Sequence, residues 1–184
     1  MKNILLLLSV SLLAVSTTFA QKQFTRSAKT RFFSDTELEK IEATNHQVTS
    51  IVDLAKNEMV FSVLMKSFEF EKALMQEHFN EKYVESDKFP KAQFKGKYTS
   101  EKPIDLKQNG NYPVSVKGTM SMHGVNKEVV ASGTFSVTGG KMSGKAVFKL
   151  KLSDFDIEIP GVVSDKIAEE LTIYVDASYE PYAK

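Results

Sequence analysis

The sequence predicts an all-β protein, a closed antiparallel barrel of about eight to nine strands with one side helix. Three observations carry this. Apolar and polar residues alternate strictly through the second half of the chain, the turns there are short and glycine-bearing, and a single stretch has helical spacing.

Ala28 to Ser34 and Leu38 to Thr44 read as strands. Val48 to Leu54 and Met59 to Lys66 read as a hairpin around Lys56-Asn57-Glu58, with Met59, Phe61, Val63 and Met65 on one face. A helix follows: Phe70, Leu74 and His78 lie at i, i+4 and i+8 with Ala73 beside them, and Glu69 and Glu71 suit its positive end. Phe89-Pro90 returns the chain to extended form. Ala92, Phe94, Gly96 and Tyr98 then share a strand face.

Val114, Val116, Gly118, Met120 and Met122 alternate against Ser115, Lys117, Thr119 and Ser121. Val129, Ala131, Gly133, Phe135 and Val137 repeat the pattern after His123-Gly124-Val125-Asn126. Met142, Gly144, Ala146, Phe148, Leu150 and Leu152 repeat it after Gly139-Gly140. A helical turn is expected from Ser164 to Glu169 with Ser164 as its N-cap. Leu171, Ile173, Val175, Ala177 and Tyr179 form the last strand face. Consecutive hairpins make a meander, and closing it removes exposed edges.

Residues 1–20 read as a secretory signal peptide: Lys2, an apolar run from Ile4 to Val15, and small residues at Thr18 and Ala20. The run is shorter than the roughly 20 residues of a membrane span. Cleavage is expected after Ala20, leaving residues 21–184 as one domain that is periplasmic or secreted. The 24 basic and 23 acidic residues come into balance once Lys2 is removed, so no nucleic-acid partner is expected. The chain has no cysteine, which excludes thiolate chemistry and leaves stability to core burial.

The inner faces are light. Gly96, Gly118, Gly133 and Gly144 sit mid-strand, joined by Ala92, Ala131, Ala146 and Ala177. Such glycines either relieve a strained barrel corner or make room for a ligand. The two readings separate at Gly118→Leu: in an open tunnel the variant folds and stops binding, whereas in a tight corner or packed core it unfolds. The other inner residues are apolar, so a cavity there is dry. The residues expected to form a ligand site are Phe61, Met65, Phe94, Gly96, Gly118, Met120, Gly133, Phe135, Phe148 and Ile173.

No catalytic or metal constellation accompanies them. His46, His78 and His123 lack zinc spacing, and no nucleophile elbow or phosphate loop occurs. Asp154, Asp156 and Glu158 alternate without the glycine and distal glutamate of a calcium loop. No enzyme activity, cofactor or metal is therefore expected.

Three segments in order resemble the YceI-like family. Gly118-Thr119-Met120-Ser121-Met122-His123-Gly124-Val125-Asn126-Lys127 is similar to its strand–turn signature. Asp87-Lys88-Phe89-Pro90-Lys91-Ala92-Gln93-Phe94 and Ser153-Asp154-Phe155-Asp156-Ile157 resemble two further family segments. Phe68 to Phe79 is similar to a Bacteroidota-type subgroup. The resemblance spans about Ala28 to Tyr179. It implies a lipocalin-like eight-stranded barrel whose tunnel takes a polyisoprenoid or the tail of an isoprenoid quinone. Transient contact with a membrane or membrane protein is a separate expectation. Family members often carry a His-containing first strand, and Thr30-Arg31-Phe32-Phe33-Ser34 has none. The competing expectation is a non-enzymatic periplasmic interaction protein whose barrel core is solid, with Phe61, Phe94 and Phe148 meeting in the middle.

Overall fold

The computed structural model describes residues 21–182. The proposed signal peptide and its cleavage point lie outside the described residues. The chain forms β1 (Lys22–Asp35), β2 (Lys40–Asp53), β3 (Glu58–Leu64), β4 (Phe68–Phe70), α1 (Ala73–His78), β5 (Lys91–Ser100), β6 (Gly110–Met122), β7 (Val125–Thr138), β8 (Lys141–Lys151) and β9 (Glu170–Pro181). Eight of these strands close antiparallel in the order β1-β9-β8-β7-β6-β5-β3-β2, with β2 returning to β1, and β4 adds a short ninth strand to β2.

The second half follows the alternation closely. The β6–β7 and β7–β8 turns are each two residues long. His123 and Gly124 have φ of 51° and 79°, and Gly139 and Gly140 have 58° and 79°. Positive φ at both central positions matches the right-handed twist of the flanking strands. Val125 and Asn126, expected in the turn, instead begin β7. Outward lysines pair across strands, as in Lys145–Asp176 and Lys149–Glu170. These exposed pairs each contribute at most about 1 kcal/mol.

Three other places depart from expectation. Leu38–Thr44 and Val48–Leu54 are not separate strands: Lys40–Asp53 runs through as β2, with register irregularities against β1 at Ala28. There Asn45, fully buried, donates from Nδ2 to the Leu64 carbonyl (2.8 Å) and accepts from the Gln47 amide (2.8 Å). Its side chain thereby satisfies backbone groups where β2 changes partner from β3 to β4.

The helix is also shorter than its spacing suggested. Phe70 belongs to β4, and α1 covers only Ala73–His78 before a wider turn over Phe79–Tyr83. The apolar positions of Phe68 and Phe70 alternate as a strand, so period two wins over the helical period there. Finally, Ser164 does not cap a helix. A short turn starts earlier, at Gly161–Val163, and Ser164 Oγ donates back to the Gly161 carbonyl at 2.9 Å.

The core divides along the barrel axis. One end gathers Val48, Val52, Tyr98, Tyr112, Phe135, Met142 and Tyr179. The opposite end gathers Phe32, Met65, Phe68, Leu150, Phe155 and Leu171.

Candidate ligand cavity

Between the two ends the barrel is hollow. A cavity of about 180 Å³ reaches from Met59, Phe135 and Tyr179 to Phe32, Phe68 and Phe79. A single water needs roughly 10–15 Å³ by this kind of measure, so the space is about a dozen times larger. The solid-core expectation is therefore corrected: Phe61, Phe94 and Phe148 stand in the cavity wall and do not fill the middle.

The lining is apolar because period-two alternation sends every other side chain inward. Among lining residues at inward positions, polar atoms come only from Thr30 and the Tyr179 hydroxyl. That hydroxyl shares a 3.0 Å hydrogen bond with Ser50 Oγ at one end of the barrel. Burial pushes the Tyr179 phenol up to about 12, and the Ser50 bond pulls weakly the other way. Nearby Tyr98 is also pushed up to about 12, first by burial and then by the Asp53 carboxylate. Both phenols stay neutral at ordinary pH and add no charge to the interior.

Most expected site residues meet here. Phe61, Met65, Phe94, Met120, Gly133, Phe135, Phe148 and Ile173 all line the cavity. Gly96 and Gly118 do not. They face each other across the β5–β6 ladder, and the ring of Phe94 lies over them. A Cβ on Gly96 would stand 2.5 Å from Phe94 Cζ and 2.6 Å from the Lys117 carbonyl oxygen. These two glycines allow close backbone approach beneath an aromatic ring and leave no room for a ligand. Gly144 is covered in the same way, with Phe135 Cε1 3.0 Å from the position its Cβ would take.

Other lining residues escaped the sequence reading. Phe32, Phe68 and Phe79 line the cavity and, with Phe70 packed beside them, form a ring cluster with centroid separations of 5.1–5.8 Å at one barrel end. Phe32 comes from β1, Phe68 and Phe70 from β4, and Phe79 from the turn after α1. The signal lies in the aromatic density of Phe68 to Phe79, where the spacing of Phe70, Leu74 and His78 points to a helix face instead. Ile157 and Leu152 also reach the cavity, from the segment after β8.

His123 plays a structural part. Its Nδ1 faces the Phe155 carbonyl at 2.9 Å and its Nε2 faces Glu85 at 3.0 Å. It ties the β6–β7 turn to two loops at the same end of the barrel.

A model of the YceI-like domain matches residues 15–179. The chain belongs to the YceI-like family. Similar solved structures agree with the barrel. A polyisoprenoid-binding domain from Saccharophagus degradans, implicated in plant cell wall breakdown, is 12% identical with a TM-score of 0.74, and the match covers 89% of this chain and 99% of that one. Burkholderia cenocepacia BcnA is 16% identical with a TM-score of 0.68, covering 83% of this chain and 96% of its own. The YceI protein of Campylobacter jejuni is 19% identical with a TM-score of 0.50, covering 98% and 99%. No curated protein matches the chain. At these identities the structural likeness of this YceI-like chain to its neighbours is a likeness of fold.

Proposed function

We propose that this YceI-like protein is an exported carrier that holds a long apolar chain of the polyisoprenoid class inside its barrel. The continuous cavity of about 180 Å³, walled by aliphatic and aromatic side chains, carries the reading. Each methylene moved from water into such a space contributes about 0.8 kcal/mol. The absence of inward charge favours a hydrocarbon tail over a polar solute, because an unpaired polar group buried there loses its water bonds without replacement. The polyisoprenoid-binding neighbour shares the fold and supports the ligand class. The signal-like Met1–Ala20 segment supports a location in the periplasm or outside the cell. The residues that hold the chain are Phe61, Met65, Met120, Phe148 and Ile173, with Phe94, Phe135 and Gly133 completing the wall.

Extraction of the purified protein into organic solvent followed by mass spectrometry tests this. An isoprenoid alcohol or quinone in the extract is the expected result. An empty extract, together with no binding of added isoprenoid quinones or alcohols, overturns it.

A further inference from the structure

The barrel wall is not continuous. β7 runs from Val125 to Thr138 and β8 from Lys141 to Lys151, but their ladder ends at the Ser132–Val147 pair. Past that pair β7 stays bonded to β6 as far as Val125, and β8 stays bonded to β9 as far as Lys151. Each strand keeps its outer neighbour while the two part from one another. In unbroken register Ala131 would meet Phe148, Val130 would meet Lys149, Val129 would meet Leu150 and Glu128 would meet Lys151; none of these pairs forms.

The split has definite ends. Above, the Ser132–Val147 pair starts the closed ladder. Below, the turn Leu152–Phe155 crosses to the other side, held by His123 on the Phe155 carbonyl and by a Lys127–Asp154 ion pair at 3.8 Å. Four β8 residues, Phe148–Lys151, lie past the last pair and give a window about 13 Å long at the usual strand rise.

Its inner rim belongs to the cavity, since Val129, Ala131, Phe148 and Leu150 all line it. On the outside Val130, within the split, is 60% exposed, and Val147, in the last closed pair, is 50% exposed. Unpaired strand edges are ordinarily blunted by charge or covered. Here Lys149 and Lys151 face outward on the β8 side and Val130 on the β7 side, and the gap between them leads into an apolar lumen.

The barrel ends are poorer routes. One is packed by the Phe32, Phe68, Phe70 and Phe79 cluster, the other by the edge-to-face contacts of Phe135 with Tyr98 and Tyr179. Entry there must separate packed rings, whereas the split breaks no ladder bond.

We propose that the split between β7 and β8 is the portal through which an isoprenoid-like chain enters and leaves the cavity. This rests on the carrier reading above. The portal sets rates, not affinity, because the bound state is the same whichever way the chain arrives.

The test closes the window. The chain has no native cysteine, so Val130→Cys with Lys149→Cys gives one reactive pair across the split, joined as a disulfide or by a short bismaleimide. The probe is farnesol carrying a fluorophore on its hydroxyl end, delivered from phosphatidylcholine vesicles and followed by stopped flow. Crosslinking should slow uptake and release together by about tenfold or more, leave equilibrium affinity unchanged, and be reversed by reductant in the disulfide form. The control pair Ser136→Cys with Ser143→Cys bridges positions already laddered and should change neither rate. Unchanged rates in the crosslinked window pair would mean entry through a barrel end and overturn the portal. Failure of both crosslinks would show that the edges do not face each other, with the same consequence. If the reduced window pair and the unmodified protein both bind no farnesol, the carrier reading itself fails and the portal falls with it.

Discussion

Gly118 lies directly opposite Gly96 in the β5–β6 ladder, and the two backbones come together so closely that neither position has room for a Cβ. A methyl on Gly118 would collide with the Lys95 carbonyl and the Gly96 Cα, and would stand 2.7 Å from Phe94 Cζ. The obstacles are mostly backbone, which cannot rotate aside. Gly118→Ala should therefore lose about 3 kcal/mol in urea denaturation, and Gly118→Leu should fail to fold. A Gly118→Leu protein with wild-type melting would contradict this account of the glycine pair.

Filling the lumen itself should have the opposite signature. Ala146 lies on β8, lines the cavity and is only half buried. Ala146→Leu sends extra carbons into empty space, so stability should change by less than about 1 kcal/mol. A ligand that loses the burial of about two methylenes binds about tenfold more weakly. Calorimetric titration with farnesol, alongside a melt of the same sample, measures both. Undiminished affinity would place the ligand elsewhere.

Tyr179 should make the fold sensitive to alkali. Its folded-state value is raised from the usual 10.0 to about 12 by burial, so the neutral phenol is the form the fold prefers. For an acid with a raised folded value, the stabilisation is complete below pH 10 and is lost as the pH climbs through about 12. The group should account for about 2–3 kcal/mol over that window. Denaturant titrations between pH 9 and 12 should show a flatter decline for Tyr179→Phe. An identical slope would mean that Tyr179 is not protected as its burial indicates.

The His123 clasp should matter to stability and not to ligand affinity. Both nitrogens face acceptors, the Phe155 carbonyl and the Glu85 carboxylate. His123→Ala leaves these half-buried groups without a partner and should cost about 2–3 kcal/mol. Amide exchange should quicken across Leu152–Phe155. A double-mutant cycle with Glu85→Ala should show coupling between the two residues. No coupling would mean that solvent already replaces the bond.

The legible part of the fold was the part with two unlike faces. In β6 to β9 one side is wet and the other apolar, so alternation alone fixes strand, face and partner order. β2 was less transparent because its register irregularity exposes His46 and Gln47 in succession, which breaks the alternation and reads as the end of a strand. The end cluster was hidden for a different reason. Phe70, Leu74 and His78 have helical spacing, but Phe70 is drawn into pairing with Ala43. The lining residues on regular strands followed from parity. What parity does not reveal is depth: Gly96 and Gly118 point the same way as Phe94, yet Phe94 bends over them and takes the space.

An interior of this kind also makes pressure a meaningful variable. Water fills the void when the chain unfolds, so the unfolded state occupies less volume, and compression favours it in proportion to the empty space lost. The chain has no tryptophan, but its six tyrosines report the transition by emission. An empty barrel should give way at a lower hydrostatic pressure than the same barrel filled with farnesol, and the gap between the two midpoints measures how much of the 180 Å³ the guest takes up.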